Sequence, residues 1–176
     1  KKFPGKKIRV NIVSNQINGI ITNLINNIRS MSQAAKNGQL DARVNIDDYE
    51  GEWKDVVKGV NDMLEAFKAP IDDIEEALNE MTNGNLHTRV TNEYSGSYKD
   101  IKDALNFTFE TVSSYIEEMS GVLNSMANEN FDLEITRDYL GDFAQIKSSL
   151  EVIIETMNKV LTDIHNSSEQ INNGAE

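Results

Sequence analysis

The chain has 176 residues, 26% of them charged and 39% hydrophobic, which is the composition of neither a disordered nor a membrane-embedded chain. The absence of cysteine excludes disulfides, thiol catalysis and metal sites with cysteine ligands. The net charge of −12 has the wrong sign for gripping a nucleic-acid backbone, and no apolar run approaches the ~18 residues that span a bilayer. We therefore expect an all-α protein that binds no nucleic acid.

The first segment, residues 1–23, has two interpretations. Five of the 17 Lys and Arg residues lie within the first nine positions, as in a basic segment next to a membrane. Alternatively, Phe3-x-Gly5 stands 46 residues before Tyr49-x-Gly51, as if the segment were the second helix of a preceding repeat. The sequence leaves both interpretations open.

Three repeats follow, at residues 24–69, 70–114 and 115–160. They are marked by an aromatic-x-Gly-x-aromatic element that recurs every 45 residues. Its copies are Tyr49-x-Gly51-x-Trp53, Tyr94-x-Gly96-x-Tyr98 and Tyr139-x-Gly141-x-Phe143. A fixed period of this length indicates an array of similar structural units.

Each repeat is predicted to form a leading helix, a polar connector and a trailing helix. Apolar residues recur at steps of three and four in the helices, and Gly84 is typical of a helix stop. Each connector holds two apolar anchors four residues apart. These anchors are Leu40 and Val44, Leu86 and Val90, and Phe131 and Ile135.

Short strands are the alternative for part of each connector, at residues 43–46, 88–91 and 133–136. We favour irregular connectors, because these stretches are short and no turn-linked partner strand follows any of them.

The trailing helix of one repeat is predicted to continue into the leading helix of the next. The apolar positions alternate in steps of three and four, which is coiled-coil spacing. Each repeat contains one stutter, at which two steps of four follow each other and locally unwind a supercoil. The stutter layers are Val56, Val60 and Leu64; Ile101, Leu105 and Phe109; and Ile146, Leu150 and Ile154.

A single pair of helices shields only one side of each apolar seam. We therefore expect two copies of the chain to associate in parallel, with a four-helix bundle at each repeat.

No arrangement of residues points to catalysis. His87 falls in a connector and His165 on a polar stretch, and paired acids such as Asp72 and Asp73 suit a solvated helix face. We expect a non-enzyme without catalytic residues, cofactor, metal or small-molecule ligand.

Paired helices joined by a connector with Gly-x-Leu and a second apolar anchor four residues later resemble the HAMP domain, a signal-relay module of bacterial receptors, sensor kinases and cyclases. The resemblance covers nearly the whole chain, as three tandem copies of the poly-HAMP type. It implies parallel four-helix coiled-coil bundles, formed by a homodimer and stacked end to end through continuous helices.

The chain departs from the family pattern in places. The Asp-Glu that starts the family's second helix falls on Gly51-Glu52, Gly96-Ser97 and Gly141-Asp142, so only the first repeat keeps the glutamate. The family's asparagine survives as Asn61 and Asn106 and becomes Glu151 in the third repeat.

The connector glycine of the family survives as Gly38 and Gly84 and becomes Glu129 in the third repeat. We expect Asn128 or Asn130 to adopt the left-handed backbone there, because asparagine tolerates it best after glycine.

The tail, residues 161–176, resembles the start of the signalling coiled coil of methyl-accepting chemotaxis proteins. The resemblance implies a cytoplasmic segment of a membrane-anchored chemoreceptor. A chemotaxis histidine kinase and a coupling protein would bind further along that coil. The competing interpretation is a self-contained helical bundle that binds a ligand or serves as a scaffold.

Overall fold

The computed structural model describes the backbone of residues 4–174 and the side chains of residues 9–173. Four long helices and one short 3-10 helix, Ile46–Asp48, make up its regular structure. The long helices are α1 (Pro4–Lys36), α2 (Glu52–Thr82), α3 (Ser97–Ala127) and α4 (Phe143–Gly174). The all-α fold class is confirmed, and the strand alternative is wrong, because residues 4–174 contain no strand.

The predicted continuity of the helices holds. α2 contains the trailing helix of the first repeat and the leading helix of the second, and α3 joins the second repeat to the third in the same way. Pro70 lies inside α2 without ending it. α1 extends through residues 4–23 into the first repeat, whereas the interpretations of Phe3 and of the last two residues of the tail lie outside the described residues.

The chain divides into two compact units, the first running to Asn79 and including Val90–Lys99, and the second comprising Glu80–Arg89 and the residues from Asp100 onward. In the first, the ends of α1 and α2 are matched by side-chain contacts. Asn27 of α1 donates a hydrogen bond to Tyr49, just before α2 starts. Asp41, just after α1 ends, pairs with Lys68, far along α2. The two helices therefore run parallel, and the connector returns between their ends.

The second compact unit repeats this arrangement. Tyr115 of α3 lies beside Tyr139, just before α4 starts, with the two rings stacked at 4.3 Å. Phe131, just after α3 ends, accepts a hydrogen bond of 2.9 Å from Asn158 of α4. α3 and α4 are therefore parallel over this stretch as well.

Each compact unit has a hydrophobic core drawn from both helices and the connector. In the first unit the buried members are Leu24, Met31, Val44, Tyr49, Val57 and Leu64. In the second they are Tyr115, Val122, Ile135, Tyr139, Leu150 and Ile154.

The leading helices of all three repeats end in the same Schellman turn. In the first, the N–H of Gly38 bonds to Ala35 and that of Gln39 bonds to Ala34. The residue with positive φ in each turn is Gly38 (77°), Gly84 (84°) or Glu129 (61°). The expectation that Asn128 or Asn130 takes this conformation is wrong. The turn's hydrogen bonds fix the position, since Asn130 must bond back to the carbonyl of Ser125.

We predict that Glu129→Gly raises the free energy of unfolding by about 1 kcal/mol, because a residue with a Cβ is strained at positive φ and glycine is not. Asn128→Gly is the matched control. It introduces the same flexibility one residue earlier and should give no gain. Urea unfolding followed by circular dichroism measures both. Equal or lower stability of Glu129→Gly would contradict the strain.

Candidate functional site

The connector anchors all face the protein interior. The first anchor of each connector is half-buried, and the second is buried. The first anchors are Leu40, Leu86 and Phe131, and the second are Val44, Val90 and Ile135. The second anchor therefore holds each connector in place, and the signalling role of the anchors stays a prediction.

The aromatic-x-Gly-x-aromatic element, at which each trailing helix starts, depends on its glycine. Gly51, Gly96 and Gly141 have φ of 57°, 58° and 58°, a conformation that other residues adopt only with strain. The trailing helices begin one or two residues later, with Glu52 as the exposed first residue of α2. The glycine thus turns the connector sharply into the helix.

The aromatic residues on either side of this glycine are not equally buried. Trp53 and Phe143, after the glycine, are half-buried. Tyr49 and Tyr139, before it, are buried members of the two cores. Sequence reasoning passed over these tyrosines as anchors, although their fixed place in the repeat was a usable signal.

Sequence reasoning also missed the inner face of the leading helices. Ile25, Ile71 and Ile116, which occupy equivalent positions of the three repeats, are 43%, 46% and 44% exposed. The residue before each of them is buried. Those buried residues are Leu24, Pro70 and Tyr115, and Met31, Ala77 and Val122 follow them at an interval of seven. Each leading helix therefore has one apolar face inside the protomer and a second that is exposed.

The stutter layers pass from one of these faces to the other. Val56 is exposed, Val60 is half-buried and Leu64 is buried. The same order holds for Ile101, Leu105 and Phe109, and Ile146 is exposed where Leu150 and Ile154 are buried. A step of four residues turns a helix by about 40° more than one full turn, so two such steps carry the apolar stripe from the exposed face to the inner one.

Asn61 binds the backbone of the first connector. Its Oδ1 accepts from the N–H of Val44 at 3.0 Å, and its Nδ2 donates to the C=O of Val44 at 2.9 Å. Both residues are buried, so water does not replace these bonds. The third repeat has Glu151 at this position, and its exposed side chain lies 3.9 Å from Lys147. The two bonds from Asn61 are therefore not reproduced by Glu151.

We predict that Asn61→Ala lowers the free energy of unfolding by ~2 kcal/mol, because both backbone groups of Val44 would be left buried without a partner. Glu151→Ala, at the equivalent position of the third repeat, is the matched control and should cost less than about 0.5 kcal/mol. Thermal and urea unfolding provide the measurement, and equal losses for the two variants would contradict the role of Asn61.

The third connector is held by α3 instead. Oε1 of Glu118 accepts from the N–H of Thr136 (3.1 Å), its hydroxyl (3.1 Å) and the N–H of Arg137 (3.3 Å). The hydroxyl of Tyr115 donates to the C=O of Asp138 and accepts from the N–H of Leu140, both at 3.1 Å.

The ionisable groups of this cluster are shifted. Burial and the neighbouring carboxylate of Glu118 raise the pKa of Tyr139 to about 12. Burial alone would raise the pKa of Glu118, but the hydroxyl of Tyr139 and the hydrogen bonds from Thr136 and Arg137 outweigh it and leave this pKa below its ordinary value. Tyr139 thus stays protonated and Glu118 ionised at neutral pH.

We predict a loss of stability between about pH 10 and 12. In this window the unfolded chain releases the Tyr139 proton while the folded chain retains it, so the free energy of unfolding falls as pH rises, by ~3 kcal/mol at most. Tyr139→Phe should flatten the fall. Part of the fall in the free energy of unfolding should remain in Tyr139→Phe, because burial and Asp73 also raise the pKa of Tyr94. Urea midpoints measured from pH 8 to 12 test this, and an unchanged slope in Tyr139→Phe would contradict it.

The described part of the chain contains no candidate metal site. His87 and His165 are exposed, and no group of three or more His, Asp or Glu side chains between residues 9 and 173 is arranged to hold a metal ion. The expectation of a non-enzyme without cofactor or metal stays a prediction.

Comparison with known families matches the HAMP domain at residues 48–114 and 105–159, more than half of the chain. The chain therefore belongs to the HAMP domain family, whose members are signal-relay modules and are typically cytoplasmic. A search of curated proteins finds no match.

The repeat boundaries at 24–69, 70–114 and 115–160 stay a prediction. None of the helices within residues 4–174 combines the length and hydropathy that crossing a membrane requires.

Proposed function

We propose that this chain is the signal-relay segment of a chemoreceptor and acts as a parallel homodimer without catalytic activity. It transmits a conformational bias from an upstream sensor to a downstream coiled coil that controls a chemotaxis histidine kinase, together with a coupling protein. Membership of the HAMP family supports the relay. The observation that supports a homodimer most directly is the exposed apolar face of the helices.

This exposed seam continues along each of the later helices. On α2 it includes Val56, Met63, Phe67, Ile71 and Leu78, and on α3 it includes Ile101, Ile116 and Leu123. On α4 it includes Ile146, Ile153, Met157, Val160 and Ile164. Large exposed apolar side chains that recur along one face of a helix are rare on the surface of a monomer, and burying one fully is worth roughly 1.5–3 kcal/mol.

A second copy of the chain is the partner that fits the seam best. The seam has coiled-coil spacing, and a two-fold axis parallel to the helices would bring each residue of the seam against its own counterpart. At each connector, two parallel helices from each protomer would then complete a four-helix bundle.

The relay requires two packings of this bundle that differ by only a few kcal/mol. The stutter layers are suited to this, because their side chains lie between the exposed seam and the inner face. A small rotation or tilt at such a layer exchanges one apolar contact for another. Since α2 and α3 each belong to two successive repeats, a change in one repeat reaches the next through a continuous helix.

The chemoreceptor context rests on the tail. α4 continues as a helix from the third repeat to Gly174, with apolar residues at Ile164 and Ile171. This is how a signalling coiled coil would begin. Attachment of the whole receptor to a membrane belongs to the same proposal.

We predict that light scattering gives twice the mass of the chain across a dilution series. Ile116→Cys should form a disulfide between the two copies under mild oxidation, which the absence of native cysteine keeps unambiguous. Glu117→Cys, the next residue on α3 but turned about 100° away from the seam, is the matched control and should react far less. A monomer at every concentration would contradict the proposal and favour the self-contained ligand-binding or scaffold bundle.

A further inference from the structure

The first connector, residues 37–51, is tied mainly to the trailing helix. Beyond the two bonds between Asn61 and Val44, Arg43 forms an ion pair with Glu65 of α2. Asp41 pairs with Lys68 at 3.4 Å, and Asp47 pairs with Lys54 at 3.2 Å. From α1, the hydrogen bond of 2.8 Å from Asn27 to Tyr49 reaches the far end of the connector. The other bonds from α1, from Gln33 to Asn37 at 3.4 Å and within the Schellman turn, lie where the connector leaves the helix.

The third connector, residues 128–142, is tied mainly to the leading helix. In addition to the bonds made by Glu118 and by the Tyr115 hydroxyl, Tyr139 donates to the backbone carbonyl of Tyr115 at 3.2 Å. Towards α4, Asn158 donates to Phe131 at 2.9 Å and Lys147 donates to Arg137 at 2.8 Å.

Substitutions at equivalent positions of the repeat account for this difference. Asn61, which holds the first connector, becomes Glu151, whose side chain is exposed. Asn27, which makes one bond to the first connector, becomes Glu118, whose carboxylate accepts three from the third. The main polar partner of the connector is therefore the trailing helix in the first repeat and the leading helix in the third.

We propose that the first connector moves as one body with its trailing helix α2, whereas the third moves as one body with its leading helix α3. The surface at which helices slip would lie between α1 and the connector in the first repeat, and between the connector and α4 in the third. The consequence for signalling rests on the proposed relay function. A shift of α3 carries the third connector directly to the start of α4, while a shift of α1 is partly lost before it reaches α2.

Hydrogen exchange of the connector amides, read at residue resolution in the 176-residue chain, tests this. Four single variants form two matched pairs. In the first repeat, Asn61→Ala removes the two buried hydrogen bonds to the trailing helix, and Asn27→Ala removes one hydrogen bond to the leading helix. In the third, Glu118→Ala removes links to the leading helix and Asn158→Ala removes one to the trailing helix.

We expect Asn61→Ala to speed exchange across residues 41–49 by about tenfold and Asn27→Ala to change it by less than about threefold. The order is reversed in the third repeat. Glu118→Ala should speed exchange across residues 133–140 by about tenfold, and Asn158→Ala should have less than about a threefold effect. If an alanine variant fails to fold, Asn61→Ser and Glu118→Gln replace it, since each keeps a neutral hydrogen-bonding group and weakens the link.

Equal effects within each pair, or the same helix dominating in both repeats, would overturn the proposal. Neither result bears on the relay itself, because that proposal depends on the solution mass and on cross-linking at Ile116. A dimer with equal effects would leave the relay standing without this division of the connectors. A monomer with the expected exchange pattern would support the division of the connectors between the two helices and contradict the proposed relay.

Discussion

Parallel helices within one chain require a connector that returns along the stretch over which they pair, and this constraint governs the rest of the structure. Unlike the tight turn between antiparallel helices, such a connector lies against the helix pair and brings backbone N–H and C=O groups into the core. These groups must find partners, because an unpaired buried polar group costs about as much as several apolar contacts contribute. Asn61 meets this requirement at the buried backbone of Val44 in the first repeat. In the third repeat Glu118 instead binds the backbone of the exposed residues Thr136 and Arg137.

The same constraint explains the positions of positive φ. The connector must leave one helix and enter the next with sharp turns, and both turns in each repeat use a left-handed residue. Glycine occupies every one of these places except Glu129. The strain there is tolerated because the Schellman turn satisfies two carbonyls at the end of α3. Turn geometry thus outweighs residue preference at this position.

The two apolar faces of each helix connect the fold with the proposed function. The inner face, with residues such as Leu24 and Val57, holds the helix pair together within one protomer. The outer face, with Ile71 and Ile116, is about half exposed in the described part of the chain. At the stutters the stripe crosses between these faces. The layers at which one packing could change into another are therefore also those at which the two kinds of contact meet.

By itself, the sequence determined the elements of this protein. The 45-residue period, the apolar steps of three and four and the glycines predicted the helices, their continuity from one repeat into the next and the connectors with their anchors, because these features depend on local periodicity and local backbone preference. Only the tertiary structure decided which of two adjacent apolar residues faces inward, as for Leu24 beside Ile25. It also decided that Tyr49 and Tyr139 are buried, that Glu129 takes the left-handed turn, and which helix holds each connector. Those outcomes depend on how residues distant in the chain compete for the same partners. The repeat pattern of the sequence does not show which of these residues pair.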